Sequence, residues 1–135
     1  MNDFNRQVIE EFRANGGKVA QFGDAPMVIL HTVGARSGQV REIPLVAGID
    51  DDGLHIFASK AGAPNNPAWY HNLKANPEID VEFGTERFRA RLEEYSSEVA
   101  EAKLAAMARV APQFGEYAEK AKPRHIPVLA INRLD

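Results

Sequence analysis

The 135-residue chain contains no cysteine, which excludes disulfides, thiolate zinc sites, iron–sulfur clusters and a cysteine nucleophile. It has no apolar run near the roughly 20 residues needed to cross a bilayer. Its opening, MNDFNRQVIEE, carries acids where a secretory signal would place its apolar core, so a cytoplasmic protein is expected. Strong net charge is missing as well: 16 Lys and Arg against 19 Asp and Glu leave −3. A phosphate-backbone binder normally carries a basic domain, so nucleic acid is not expected and a small-molecule partner is. There is no G-x-x-x-x-G-K-[ST] loop and no repetition of strand, crossover helix and parallel strand, which argues against a P-loop or a doubly wound nucleotide fold. Without repeats, linkers or low-complexity stretches, residues 1–135 read as one domain.

The hydrophobic pattern supplies the elements. Phe4, Val8, Ile9 and Phe12 predict an N-terminal amphipathic helix within 1–16, stopped by Gly16-Gly17. Met27 to Val33 is a short run rich in β-branched residues between Pro26 and Gly34, as in a strand buried on both faces. Val40–Ile49 and Leu54–Ser59 flank Asp50-Asp51-Asp52-Gly53, a hairpin in which Asp-Gly would take positive φ, and Pro44 marks an edge or bulge in the first of them. Asn66-Pro67 predicts a capped helix start and Asn76-Pro77 its end. Ile79, Val81 and Phe83 alternate with acids, and Phe88, Ala90 and Leu92 alternate with arginines, so two antiparallel strands should set an acidic row against a basic one. Ser97 is the expected cap of a helix ending at Pro112, and a last strand runs from about Ile126 to Arg133. Six mostly antiparallel strands with helices at three places predict an α+β fold built on a small closed or split β-barrel.

Charge is distributed unevenly along this chain. Segments 31–41 and 53–77 contain Arg36, Arg41, Lys60 and Lys74 and none of the 19 acids, so the −3 total is +4 here and −7 elsewhere. Acid-free loops rich in glycine, proline and amides suit a pocket for an anionic ligand, which a nearby carboxylate would repel. In the turn Gly34-Ala35-Arg36-Ser37-Gly38, converging N–H groups, the forked donors of Arg36 and Arg41 and the Ser37 hydroxyl suit phosphate or carboxylate. After Ser59 and Lys60 comes a tight loop and then a helix N-terminus. Trp69 and Leu73 share a helical face and read as core, His31 as a satisfied core residue, and His71 as structural rather than basic catalyst. No metal ligands are predicted.

Three blocks, TVGARSGQVREIPL, IFASKAGAPNNPAWYHNLKANPEIDVEF and PQFGEYAEKAKPRHIPVLAI, resemble the signatures of the deazaflavin-dependent nitroreductase family, whose members are quinone, enone or nitro reductases using reduced coenzyme F420. The similarity runs from about residue 27 to 134 and is most specific in S-K-x-G-x-P-x-x-P-x-W-Y-x-N. It implies a split β-barrel with the deazaflavin in a groove. Gly34, Arg36, Ser37, Gly38 and Arg41 would hold the phosphate and the oligoglutamate tail. Pro44, Leu45, Ser59, Lys60, Gly62 and Pro67 would line the ring, with Trp69 and Asn72 fixing that wall. Ser59 or Tyr117 would donate a hydrogen bond to the oxyanion that develops as hydride reaches the acceptor.

The chain departs from the family pattern at two points. Ala61 stands where relatives often have a glycine, and Tyr117 is the only tyrosine in the C-terminal block, so a quinone or activated alkene is expected rather than a nitroimidazole. Two other readings are kept: a split-barrel reductase or oxidase using flavin mononucleotide, and a non-enzymatic deazaflavin carrier or sensor. No obligatory protein partner is expected. The N-terminal helix is read as packing on the core or gating the substrate, with weak membrane association, where quinones reside, as the alternative.

Overall fold

The computed structural model describes residues 3–134. Helix α1 spans Asp3–Ala14, β1 Met27–Val33, β2 Val40–Asp50, β3 Gly53–Phe57, α2 Ala68–Ala75, β4 Glu78–Phe83, β5 Glu86–Glu94, α3 Ser97–Val110, α4 Gln113–Ala121 and β6 Val128–Arg133. The strands close into an antiparallel barrel in the order β1-β2-β3-β6-β5-β4, with β4 returning to β1. This is the α+β barrel that the strand pattern predicts.

Side-chain alternation sorts the barrel into an inside and an outside. Val28 and Leu30 of β1 point into the barrel with Ile56, Ile79, Val81, Leu92 and Leu129. Met27 and Ile29 point outward, where Val8, Ile9 and Phe12 of α1 cover them. That second covering layer is why β1 is apolar on both faces from Met27 to Leu30. On the opposite side, Phe57 and Val128 are covered by Leu104, Met107 and Phe114 of α3 and α4.

The apolar stripe of α1 therefore faces its own barrel, which corrects the membrane-lying alternative; of that stripe Phe4 alone stays half exposed, at 52%. Arg13 clamps the end of α1 by donating to Glu82 on β4 and Glu42 on β2. No helix among the described residues is long and apolar enough to cross a membrane. The first two residues of the predicted 1–16 helix lie outside the described residues.

The predicted charge rows are present in register, with Glu78 opposite Arg91, Asp80 opposite Arg89 and Glu82 opposite Arg87. Arg87 nevertheless slants to Asp80, at 2.9 Å, because Glu82 is engaged by Arg13 and His31.

β2 changes partner along its length. Residues 40–46 pair with β1, whereas 47–50 pair with β3, so Pro44 lies in the half with no β3 neighbour and its missing N–H removes no bond to that strand.

Local chemistry corrects several expectations. In the β2–β3 hairpin only Gly53 takes positive φ, at 98°, while Asp50 Oδ1 accepts from Asp52 N at 2.9 Å, so an Asx turn followed by a glycine replaces the expected Asp-Gly pair. Ser96, not Ser97, caps α3, accepting from Val99 N at 3.4 Å. Pro67 occupies the N-cap of α2, and Asn66 Oδ1 instead accepts from Arg124 at 2.7 Å. Pro112 ends α3 and, in the right-handed region with φ −55°, also starts α4, an element the apolar pattern does not predict.

Candidate active site

The loop between β3 and α2 is strained and tightly held. Lys60, Ala61 and Gly62 take φ of 47°, 52° and 79°, three consecutive left-handed residues of which only one is glycine. Such conformations persist where the surroundings over-determine them. Here Arg124 donates to the carbonyls of Ala58, Ser59 and Ala63 and to Asn66 Oδ1, at 2.7–3.0 Å. Its position just before β6 is 58 residues or more away in sequence from these partners, and burial holds its guanidinium below the ordinary value. Gly62 is pressed against α4: a Cβ there would sit 2.9 Å from the Tyr117 carbonyl oxygen and 2.9 Å from Lys120 Cβ.

The turn after β1 is built from its own backbone. Gly34 N donates to Gln39 O at 2.9 Å, Gly38 N to Gly34 O at 3.0 Å, and Gln39 N to Ser37 Oγ at 3.1 Å. Asn72 on α2 ties this turn to the rest of the site, its Oδ1 accepting from Ala35 N at 3.0 Å. α2 therefore runs from the strained loop at its start to the Gly34–Gly38 turn near its end, and it brings the two acid-free segments together.

The cations of those segments divide into two kinds. Lys74 forms an ion pair with Glu94 at 2.9 Å and also lies over the Tyr70 ring. Burial pushes Glu94 upward, but hydrogen bonds from Tyr70 and Lys74 outweigh it and hold its carboxyl below the ordinary value. Tyr70 in turn is pushed up to about 12, by burial and by Glu94. Arg36, Arg41 and Lys60 are exposed and have no carboxylate partner among the described residues; Lys60 reaches only Asn65 Oδ1, at 3.2 Å. Arg36 and the Ser37 hydroxyl in the turn, Arg41 at the start of β2 and Lys60 in the loop after β3 form a donor set suited to an anionic ligand.

Ser59 and Tyr117 are half-buried, and neither hydroxyl is hydrogen-bonded among the described residues. Both flank Gly62, one in chain and one across the α4 contact. Pro67 is buried and Trp69 half-buried against the barrel core. Pro44 and Leu45 project to opposite faces of β2: Leu45 packs on the barrel interior, and Pro44 lies opposite Ile29. Only one of these neighbours can offer its side chain to a given wall.

Several residues at or near the site are not singled out by their sequence pattern. Arg124 is a lone cation outside the acid-free segments. His55 lies in β3 with its side chain 6% exposed, and its Nδ1 has no hydrogen-bond partner. His31, expected to be satisfied in the core, meets Glu82 Oε2 at 2.7 Å. It forms a His31–Glu42–Glu82 group whose carboxylates both receive the Arg13 guanidinium.

Fold and site together define a closed antiparallel β-barrel in which Asn72 of helix α2 joins the β1–β2 turn to the element that follows the loop after β3. The model of the family described as F420H(2)-dependent quinone reductase matches residues 4–132, and the chain belongs to that family. It is 42% identical over 79 residues to an F420H(2)-dependent quinone reductase of Mycobacterium tuberculosis (strain ATCC 25618 / H37Rv), a match covering 57% of this chain and 53% of the relative. The chain thus spans about half the length of the curated relatives it matches. A solved F420-H2 dependent reductase superposes with a TM-score of 0.68 at 34% identity, covering 79% of this chain and 94% of the other. A solved chain described as a domain-swapped dimer gives 0.70 at 31% identity, covering 96% and 98%.

Proposed function

We propose that this chain transfers a hydride from reduced coenzyme F420, an 8-hydroxy-5-deazaflavin with an oligoglutamate tail, to a quinone, enone or related electron-poor acceptor. The observation that carries the proposal is the trio Arg36, Arg41 and Lys60, unpaired in the two segments that Asn72 and α2 bring together. These cations lie in segments without an acid, and the cofactor's phosphate and glutamates match that charge.

Gly34, Arg36, Ser37, Gly38 and Arg41 would take the phosphate and the tail. Ser59, Lys60, Gly62 and Pro67, with Leu45 or the Pro44 backbone, would line the ring, while Trp69 and Asn72 fix that wall. When bound, the reduced deazaflavin supplies a two-electron hydride donor, so the chain need supply no redox group of its own. Its residues have three tasks. The strained 60–62 loop, fixed by Arg124 and Tyr117, presents a ring wall that does not reorganise. Ser59 or Tyr117, each with an unengaged hydroxyl, would donate to the oxygen that gains charge on the acceptor. The covering α3–α4 pair would limit water at the reacting carbon and hold donor and acceptor in near-attack contact.

Anaerobic mixing of the chain with reduced F420 and menadione should give steady deazaflavin oxidation, followed by its absorbance. Tight binding of flavin mononucleotide with no response to F420 would overturn the cofactor assignment, and F420 binding without turnover by any quinone or enone would leave a carrier. The double variant Arg36→Ala/Lys60→Ala should weaken F420 binding at least tenfold and flatten its salt dependence; unchanged affinity would move the anion site elsewhere.

A further inference from the structure

A cavity of about 720 Å³ lies outside the barrel, between the outer faces of β2 and β3 and the corner where α3 meets α4. Its volume is in the range of small-molecule sites. Val46 and Phe22 form one apolar wall and Met107 and Phe114 another, and Val110, 80% exposed, stands at its rim. On its β2, β3 and α3 walls the polar residues are Asp50, His55 and Lys103, while Gln21, Asp24 and Gln113 add polar groups from the segment before β1 and from the start of α4.

Of the polar groups on the β2, β3 and α3 walls, Lys103 and Asp50 are already engaged. Lys103 donates to Asp50 Oδ2 at 2.7 Å and to Asp52 Oδ2 at 3.0 Å, and these carboxylates push its ammonium up to about 12. Asp50 Oδ1 serves the hairpin turn. His55 is left over: its Nδ1 is buried without a partner, 3.9 Å from Asp50 Oδ2. Burial holds the imidazole below its ordinary value and therefore neutral near pH 7. The ring's other nitrogen lies over Gly48, across the strand pair, where any Cβ would overlap Nε2. Gly48 and His55 both line the cavity, so the ring edge that occupies the space of a side chain at 48 borders it.

A chain of aromatic contacts runs from His55 at the cavity's edge toward the proposed ring wall. His55 meets Phe57 edge-on at 5.2 Å, Phe57 meets Phe114 at 5.3 Å, and Phe114 meets Tyr117 at 5.5 Å, the residue on which Gly62 is packed. His55 is also only four residues from Ser59 along the strand that ends at Phe57, about 13 Å at the rise of a β-strand.

We propose that this cavity holds the electron acceptor, a planar carbonyl compound of the quinone class, with His55 Nε2 as the group that hydrogen-bonds its distal oxygen. The inference rests on the hydride-transfer reading above and assigns it a specificity residue. A neutral imidazole suits both ends of the reaction, since Nε2 donates to the quinone carbonyl in the Nε2–H tautomer and accepts from the hydroquinone hydroxyl in the Nδ1–H tautomer. A group that hydrogen-bonds a substrate oxygen also discriminates against acceptors lacking one.

The test is a titration of ¹⁵N-labelled chain with menadione, both cofactor-free and loaded with oxidised F420, which cannot reduce it, reading the His55 imidazole resonances by long-range ¹H–¹⁵N correlation. Saturable shifts at His55 are expected in at least one state. His55→Phe should raise the menadione Kd about tenfold while leaving F420 affinity, measured by deazaflavin fluorescence, within twofold. Val110→Trp, at an exposed rim position where folding is not at stake, should obstruct entry and raise the same Kd. Absence of His55 shifts in both states, or wild-type menadione affinity in both variants, overturns the assignment. Failure of F420 to bind the wild type would count against the cofactor reading alone, because the cofactor-free titration still decides the cavity.

Discussion

Gly62 and Tyr117 are in backbone contact across the boundary between the β3–α2 loop and α4, so closely that the smallest side chain at 62 would meet the Tyr117 carbonyl at 2.9 Å. The contact makes α4 a second jaw on the loop that Arg124 grips from the other side. Gly62→Ala adds this clash to a φ of 79°. A loss of about 2–4 kcal/mol in urea unfolding is expected, from overpacking and left-handed strain together, and F420 affinity should fall with it. An unchanged unfolding midpoint would mean that α4 yields freely.

Ala61 is the converse case. Its φ of 52° costs a non-glycine residue about 1–2 kcal/mol, against the roughly 0.5–1 kcal/mol of chain entropy that glycine loses on folding. Ala61→Gly should therefore stabilise the protein by up to about 1 kcal/mol, read as a higher denaturation midpoint. A lower midpoint would show that the surroundings have removed the strain.

Arg124 reaches four acceptors with one planar fork. Lysine has neither the geometry nor the number of donors to replace it. Arg124→Lys and Arg124→Ala should both release residues 58–66, with a stability loss of about 2–4 kcal/mol from the carbonyls left unpaired and faster amide exchange in that loop. Full protection in the lysine variant would reduce the fork to a single point charge.

Acid should loosen the docking of α1. Hydrogen bonds from Arg13 hold the Glu82 carboxyl below its ordinary 4.5, with His31 contributing. Asp80 is held down by Arg87 and Arg89, and Asp50 by Lys103. The unfolded chain thus binds more protons than the folded one as pH falls below about 4.5, so the stability these pairs contribute is complete above that pH and is lost as pH drops through the lower folded-state values. Arg13→Gln should flatten this dependence, measured as urea midpoints between pH 5 and 3; a wild-type slope would place the acid sensitivity in Asp50 and Asp80.

Much of the barrel was legible because it depends on period-two patterning: the doubly buried β1, the charge rows of β4 and β5, and Pro44 in the half of β2 that has no β3 neighbour. The acid-free segments likewise pointed to the unpaired Arg36, Arg41 and Lys60, though Lys74, their apparent equal, is engaged by Glu94 across the barrel surface. What was hidden is long-range. Nothing around Arg124 announces partners in another third of the chain, and Asn66 looks like a cap until that guanidinium takes its oxygen. His55 alternates with core residues as any strand residue would, and only the glycine across from it makes room for its ring. α4 escaped because Pro112 reads as a stop and only four residues later does a short apolar face begin to repeat.

The grip of Arg124 also sets an order of events. Its segment leads directly into β6, the strand that joins β3 to β5 and completes the barrel. During synthesis, residues 58–66 emerge long before the side chain that shapes them, so in the nascent chain this loop lacks its Arg124 contacts until the segment leading into β6 is made. A loop that looks local in the sequence is thus completed only when the barrel is.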